Sequence, residues 1–191
     1  MTTDHHAEHP TAELLAYWLD ELDEAGAQAV EEHLFACDAC GAQLRGLIQL
    51  GSAVRKALLT GRFGTVVTPS FIRRLQDAGA RLREYHLEPG SSVNCTLAPD
   101  DDLVVSHLRA DMSGVRQVDL LIDDENGALL HRARHVAFDP ASSEVTVIPP
   151  VALVRRMGTS RQRMRLMAVD RSSERLLGEY TFNHSPYDPR G

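Results

Sequence analysis

The stretch HLFACDAC, residues His33 to Cys40, decides how the first third of this chain folds. It contains a histidine at position 33 and cysteines at positions 37 and 40, in a protein that has only three cysteines. On a continuous helix these residues are at positions i, i+4 and i+7 and share one face. If the chain instead turns between Cys37 and Cys40, the two thiols still converge. Either geometry brings three soft ligands together, so the pattern predicts a metal site.

A structural zinc site normally has four ligands, so this triad needs a fourth. The histidine-rich start of the chain offers three candidates, His5, His6 and His9. We favour His9, because it lies just ahead of the first predicted helix. The competing interpretation is that Cys37 and Cys40 are small buried hydrophobic residues and that His33 is a surface residue.

Residues 1–60 are predicted to form a small helical domain. In HPTAELLAYWLDELD, Leu14, Trp18 and Leu22 recur every four residues and form one apolar stripe. A second helix is predicted over residues 25–36, and a long third helix from about Cys40. A unit this small buries little apolar surface, so a zinc ion bound between its helices would supply much of its stability.

Residues 61–80 are predicted to form a helical linker, and residues 81–191 a β-sandwich. Pro69 marks the start of the linker helix. From about Arg81 the hydrophobic period changes from 3.6 to 2, and about eight short strands follow, separated by turns rich in Gly, Pro, Asp and Ser. The predicted fold class is therefore α + β in two domains, a small zinc-stapled helical bundle followed by an antiparallel β-sandwich of about eight strands.

The net charge of the chain is concentrated in its N-terminal part. Residues 1–60 hold 10 acidic and 3 basic residues, a net charge of −7, whereas residues 61–191 hold 17 of each sign. An acidic surface repels the nucleic-acid backbone and favours a basic protein partner. We therefore expect a protein partner with a basic surface and no direct contact with nucleic acid.

The predicted location is the cytoplasm, without membrane association. The longest apolar stretches fall far short of the roughly 20 residues that a membrane-spanning helix requires. The N-terminus MTTDHHAEHP lacks the basic and apolar regions of a secretory signal. In a reducing compartment, a close pair of cysteines indicates metal or redox chemistry rather than a disulfide framework. No oligomeric state is predicted.

The segment from about His5 to Leu59 resembles the zinc-binding anti-sigma family, whose signature is His-x3-Cys-x2-Cys. The resemblance depends on an upstream histidine, the helix sequence LLAYWLDEL and the sequence EEHLFACDAC. It implies that His33, Cys37 and Cys40 bind zinc together with an upstream histidine. It also implies that the helical domain wraps an extracytoplasmic-function (ECF) sigma factor and blocks its binding to RNA polymerase.

The predicted function is that of a cytoplasmic zinc-dependent regulator that binds and inhibits an ECF-type sigma factor, with the C-terminal β-domain as a sensor. One alternative is a stand-alone redox or metal sensor that uses the CxxC zinc site. Another is a zinc-stapled protein whose sandwich domain binds a ligand or catalyses a reaction. The chain has no GxSxG, GxxxxGK, HExxH or Rossmann glycine motif. We therefore do not expect an enzyme.

The β region contains further candidate residues. His131 and His135 are four residues apart on one predicted strand, and with His107 or His184 they would form a second metal or ligand site. Exposed histidines on a sheet surface are the commoner case. Cys95 lies on the inward-facing side of its predicted strand and is expected in the core.

Overall fold

The structure is a computed structural model that describes residues 9–61, 63–138, 141–170 and 173–189. The chain divides into two compact units, Met1–Lys56 and Ala57–Gly191. The first is helical and the second contains two β-sheets, which confirms the predicted α + β class. The functional domain boundaries at residues 60 and 80 stay a prediction. Among the described residues, no helix is both long and apolar enough to cross a membrane.

Three helices build the described part of the first unit, from residue 9 onward, and its core is small. The fully buried side chains are Leu14, Val30 and Cys40, one from each helix. Because Cys40 is both a core residue and a predicted ligand, the core of this unit adjoins the predicted metal site. The helices are α1 Thr11–Trp18, α2 Glu24–Leu34 and α3 Asp38–Leu59.

The local sequence explains where α2 and α3 begin. Asp23 caps α2, because its side chain accepts a hydrogen bond of 2.8 Å from the backbone N–H of Gly26. The chain turns over residues 35–37, and α3 begins at Asp38, whose negative charge is favourable at a helix N-terminus. The break between the helices lies inside the HLFACDAC stretch.

Gly51 lies where the indole ring of Trp18 approaches α3. A Cβ atom at residue 51 would overlap Cη2 of Trp18 and lie 2.7 Å from its Cζ2 atom, which is well inside the preferred separation of two carbon atoms. Gly46, on the same helix, has nothing within 4 Å of the place that a Cβ atom would occupy. The close approach of Trp18 to α3 therefore requires glycine at position 51 but not at position 46.

We expect Gly51→Ala to destabilise the helical unit by about 1–3 kcal/mol, the usual cost of overpacking. Gly46→Ala is the matched control, and it should raise the stability by up to about 1 kcal/mol, because alanine favours a helix more than glycine does. Urea unfolding followed by the fluorescence of Trp18, the only tryptophan, measures both effects. Equal stability of the two variants would contradict the packing of Trp18 on α3.

The second unit contains nine strands among the described residues, in two sheets. The strands are β1 Thr65–Val67, β2 Leu82–Leu87, β3 Ser92–Cys95, β4 Leu103–Arg109, β5 Val118–Asp123, β6 Leu129–Val136, β7 Glu144–Ile148, β8 Ser160–Asp170 and β9 Ser173–His184. The four-stranded sheet has the order β1-β7-β4-β2, and the five-stranded sheet has the order β3-β9-β8-β5-β6. This unit also contains the helices α4 Pro69–Asp77 and α5 Val151–Val154.

About eight strands were predicted from the sequence, and the strand that was not predicted is β1. It lies in the segment 61–80 that was predicted as a helical linker, and it pairs with β7. With three residues, β1 is too short to show an alternating pattern in the sequence. The helix predicted to start near Pro69 is α4, whose N-cap Thr68 accepts a hydrogen bond from the backbone N–H of Phe71.

Both sheets are mixed, whereas a wholly antiparallel sandwich was predicted. β2 pairs with β4 in parallel, and β3 pairs with β9 in parallel; the other pairs are antiparallel. β2 and β4 are parallel because β3, which lies between them in the chain, belongs to the five-stranded sheet. The chain therefore leaves the four-stranded sheet after β2 and returns to it as β4, which runs in the same direction as β2. Turn residues show where strands end, but they do not show which strands become neighbours.

Residues from both sheets form one apolar core. It contains buried side chains from β2, β4, β5, β7, β8 and β9, among them Leu108, Val118, Leu166 and Tyr180. The hydroxyl of Tyr180 donates a hydrogen bond to the backbone carbonyl of Arg109, which links the two sheets. This core stabilises the sheet surfaces on which the polar clusters of the unit lie.

The arginines of β8 alternate with apolar residues, and this alternation predicts that Arg161, Arg163 and Arg165 face solvent. Arg161 is exposed, and Arg163 and Arg165 are partly exposed while they also contact Asp123 on β5, whose side chain is completely buried. Arg165 donates two hydrogen bonds to the Asp123 carboxylate, from Nε at 2.7 Å and from Nη2 at 3.0 Å, and Arg163 Nε is 3.4 Å from Oδ2. The hydrogen bonds from Arg165 hold the pKa of Asp123 below its usual value, against the opposing effect of burial.

Candidate metal centre

The three ligands predicted from HLFACDAC come from the end of one helix and the start of the next. His33 is in the last turn of α2, Cys37 immediately precedes α3, and Cys40 is in the first turn of α3. The N–H groups of Ala36 and Cys37 donate hydrogen bonds of 3.0 and 2.9 Å to the carbonyl of His33 and close the turn. The ligands therefore meet at the corner between α2 and α3, not on one continuous helical face.

At this corner the side chains of His33, Cys37 and Cys40 converge. One ligand atom from each residue lies within 4.8 Å of the other two. Cys40 is fully buried, whereas His33 and Cys37 are partly buried. Ligand atoms around a tetrahedral zinc ion with bonds of about 2.0–2.3 Å are separated by roughly 3.3–3.8 Å. The nitrogen and sulfur donors and their spacing thus fit zinc after small side-chain shifts.

His9 lies beside this triad without being one of its three converging members. The rings of His9 and His33 meet edge to face, with centroids 4.5 Å apart and an interplanar angle of 82°. His9 Nδ1 is 2.5 Å from the Glu13 carboxylate, a contact that commonly orients a metal-binding histidine and leaves Nε2 for the ion. His9 as the fourth ligand stays a prediction. His5 and His6 lie outside the described residues.

Glu13 was not recognised from the sequence. Its position in the first turn of α1, four residues after His9, is a signal that could have identified it. In zinc sites, the carboxylate behind a histidine ligand sets the ring orientation and raises its basicity. Glu13 therefore belongs to the candidate site through His9.

A zinc ion at this corner would join α2 to α3 and add bonds that the small apolar core cannot supply. Thiolate ligands are favourable at the N-terminus of α3, where the helix dipole is positive. With a histidine as fourth ligand, protein side chains would occupy every coordination position, which is the arrangement of a structural site and not of a catalytic one.

His131 and His135 do not form the second site that their spacing suggested. Both side chains are exposed on β6. A β-bulge in the pairing of β5 with β6, and a φ of 54° at His135, interrupt the alternation of side chains between them. Among the described residues, neither histidine belongs to a group of three ligand side chains that converge within 4.8 Å.

Cys95 is partly buried against the core of the second unit, in agreement with the expected core position. Its Sγ atom is 3.8 Å from Nδ1 of His184. Burial raises the pKa of the Cys95 thiol, which disfavours the reactive thiolate form.

A second group of converging ligand side chains lies in the second unit and was not predicted. It consists of Glu84, His86 and His107, whose ligand atoms also lie within 4.8 Å of one another. Glu84 and His86 are two residues apart on β2 and so share a face of the sheet. His107 is on β4, and only the parallel pairing of β2 with β4 places it beside them.

Comparisons with known proteins agree with the first site. Residues 11–41 match the model of a family described as "Putative zinc-finger", which is the family of zinc-binding anti-sigma factor N-terminal domains. The matched segment includes His33, Cys37 and Cys40. A search of curated proteins finds no match to the chain.

Similar solved structures include the N-terminal domain of phage TP901-1 ORF48, at 10% identity and a TM-score of 0.36, with coverage of 55% of this chain and 98% of that chain. They also include CopC from Methylosinus trichosporium OB3b, at 13% identity and a TM-score of 0.29, with coverage of 65% and 96%. These TM-scores are too low to support an argument about function. The family match and the converging His33, Cys37 and Cys40 agree, and residues 11–41 of this chain are therefore similar to the N-terminal domains of zinc-binding anti-sigma factors.

Proposed function

We propose that this protein is a zinc-dependent regulator that binds and inhibits an ECF-type sigma factor through its helical unit. The observation that supports this most directly is the family match of residues 11–41, which contain the converging His33, Cys37 and Cys40. In this proposal the β-sheet unit is the sensor, the protein acts in the cytoplasm, and its role is binding and not catalysis.

The helical unit exposes large apolar side chains that a partner would cover. Phe35 is 93% exposed and lies between the predicted ligands His33 and Cys37. Leu15 and Leu50 are also exposed in this unit. Aromatic residues often anchor protein interfaces, and an exposed phenylalanine held in a tight turn loses little conformational freedom on binding. A zinc ion bound by His33 and Cys37 would hold Phe35 in position between them.

The negative charge of residues 1–60 favours a partner that has a basic surface. The net charge of −7 in residues 1–60 would attract such a surface over a distance, and this steering acts mainly on the association rate. Salt screens exposed charges beyond about 8 Å at physiological ionic strength. Association should therefore slow as the salt concentration rises.

We expect Phe35→Ala to weaken the complex with the sigma factor about 30-fold or more, because loss of an interface anchor costs about 2 kcal/mol or more. Leu130→Ala is the matched control, since Leu130 is 57% exposed but lies on β6 of the second unit. Titration calorimetry of the full chain against the ECF-type sigma factors of the same organism measures the affinities, and an in vitro transcription assay measures inhibition. Absence of binding to each of these sigma factors would refute the proposal.

A redox sensor at the same site is a second candidate function. The supporting observation is that Cys37 and Cys40 are not joined in a disulfide and that their side chains converge. Oxidation of the two thiolates by a peroxide would join them in a disulfide, reduce the peroxide to water and remove two zinc ligands. Zinc that stays bound during mild peroxide treatment would exclude this function.

A further inference from the structure

The outer face of the four-stranded sheet carries a polar cluster that is separate from the HLFACDAC site. The cluster contains Glu84 and His86 from β2, His107 from β4 and Glu144 from β7. His86 and His107 are direct partners in the parallel β2–β4 pairing, and His107 and Arg109 are paired with Thr146 and Glu144 across the β4–β7 boundary. Residues of three adjacent strands therefore place their side chains on one patch of the sheet.

His107 is the centre of this patch. Its side chain is 8% exposed and lies between two carboxylates. Nδ1 of the ring is 2.6 Å from Oε1 of Glu144, and Nε2 is 3.1 Å from Oε2 of Glu84. Glu144 is itself buried and accepts a further hydrogen bond of 3.1 Å from the hydroxyl of Thr146. The contact with Glu144 fixes the ring and directs Nε2 toward Glu84.

His86 completes the cluster from the solvent side. Its ring stacks on the ring of His107, with centroids 4.3 Å apart and an interplanar angle of 9°. Nε2 of His86 is 4.0 Å from Oε2 of Glu84, and the side chain is 63% exposed. Glu84 also accepts a hydrogen bond of 2.6 Å from Nε2 of Gln76 on α4, which orients the carboxylate. Glu84 and His107 are thus held in place by hydrogen bonds, whereas the exposed ring of His86 would rotate out of its stacked position to share a metal ion with them.

We propose that Glu84, His86 and His107 form a second metal site, which binds a divalent transition-metal ion such as zinc. Two imidazole nitrogens and one carboxylate oxygen are a ligand set that zinc takes in sites with an open fourth position. The 3.1 Å between Nε2 of His107 and Oε2 of Glu84 is close to the roughly 3.3 Å that separates two ligands of a tetrahedral zinc ion. Glu144 and Gln76 then orient His107 and Glu84 through their hydrogen bonds.

The charges of the patch also favour a cation. Glu84 and Glu144 contribute two negative charges, and Arg109, with Nε 4.0 Å from Oε2 of Glu144, offsets one of them. An ionised carboxylate in this partly buried position is stabilised by a nearby positive charge, and a divalent cation between Glu84 and His107 would supply one. Calcium and magnesium are poor candidates, because they prefer oxygen ligands.

The test uses the full chain and cobalt(II), whose absorption distinguishes the two sites. Cobalt bound to Cys37 and Cys40 absorbs strongly through thiolate-to-metal charge transfer, whereas cobalt bound by Glu84, His86 and His107 has no thiolate ligand. We expect the wild type to bind two equivalents by titration calorimetry, of which only one produces the charge-transfer band. His86→Gln should lose the equivalent without this band and keep the other unchanged.

His86 is the residue of choice because its side chain is mostly exposed, so the variant keeps the fold. His131→Gln, which removes another exposed histidine from the same unit, is the control and should still bind two equivalents. Equal cobalt binding by wild type and His86→Gln would overturn the proposal. In another possible outcome, the wild type binds one equivalent of cobalt without the charge-transfer band, and His86→Gln binds none. That result would support this second site and refute zinc binding at HLFACDAC. The experiment therefore tests the site at Glu84, His86 and His107 separately from the site at HLFACDAC.

Discussion

Replacement of Cys40 by serine should abolish the zinc binding predicted for His33, Cys37 and Cys40 and unfold the helical unit, while the β-sheet unit stays folded. Zinc contributes about 10–16 kcal/mol of apparent binding free energy to small zinc-folded domains, and a whole domain is stable by only about 5–15 kcal/mol. Cys40 is also one of the three fully buried side chains in the core of this unit, with Leu14 and Val30. The substitution thus removes a predicted ligand and places a polar group in the core.

Cys95→Ser is the matched control, because Cys95 is the third cysteine and lies in the other unit. Elemental analysis after gel filtration measures the zinc content, and far-ultraviolet circular dichroism together with the fluorescence of Trp18 measures folding of the helical unit. Cys95→Ser should keep the zinc of the wild type and its helical signal. A Cys40→Ser variant that retains full zinc would contradict the assignment.

The same measurement identifies the fourth ligand. Single alanine variants of His5, His6 and His9 should differ in zinc content, and we expect His9→Ala to lose it. The reason is that His9 lies against His33 and that Glu13 holds its Nδ1 atom, which leaves Nε2 for the metal.

Replacement of Asp123 by alanine should destabilise the β-sheet unit by about 3 kcal/mol. Removal of one partner of a buried ion pair usually costs about 3–5 kcal/mol. We expect the lower end of that range, because Arg163 and Arg165 are partly exposed and water can solvate them in the variant. Urea unfolding at neutral pH measures the effect. Glu125→Ala, which removes an exposed carboxylate from the adjacent turn, is the control and should change the stability by less than about 0.5 kcal/mol.

The contribution of Asp123 should depend on pH in a defined direction. Its pKa is lower in the folded protein than in the unfolded chain, mainly because Arg165 hydrogen-bonds the ionised carboxylate. Its stabilising effect is therefore fully present above the unfolded value of about 3.9 and is lost as the pH falls through the folded pKa. The difference in unfolding free energy between wild type and Asp123→Ala should shrink below about pH 4. A difference that is unchanged at low pH would show that charge is not its cause.

The sequence by itself determined the features that depend on residues close together in the chain. The periods of 3.6 and 2 located the helical and β regions, because burial of one face of a helix or strand requires apolar residues at those steps. His33, Cys37 and Cys40 were recognised as a cluster because a span of eight residues brings them together with or without a helix break. The structure replaced the continuous helix by a corner, and the three ligands still converge.

Only the tertiary structure decided which distant residues meet. The parallel pairing of β2 with β4 places His107 beside His86, and no local pattern encodes it because β3 in the other sheet separates the two strands. The contact between Asp123 and Arg165 has the same origin, since β5 and β8 are neighbours only after the sheet has formed. The local hydrophobic period indicates which face of a helix or strand is buried. The order of strands in a sheet depends instead on how all the helices and strands pack their apolar faces against one another. For that reason the cluster of His33, Cys37 and Cys40 could be predicted from the sequence, whereas the cluster of Glu84, His86 and His107 could be recognised only in the folded sheet.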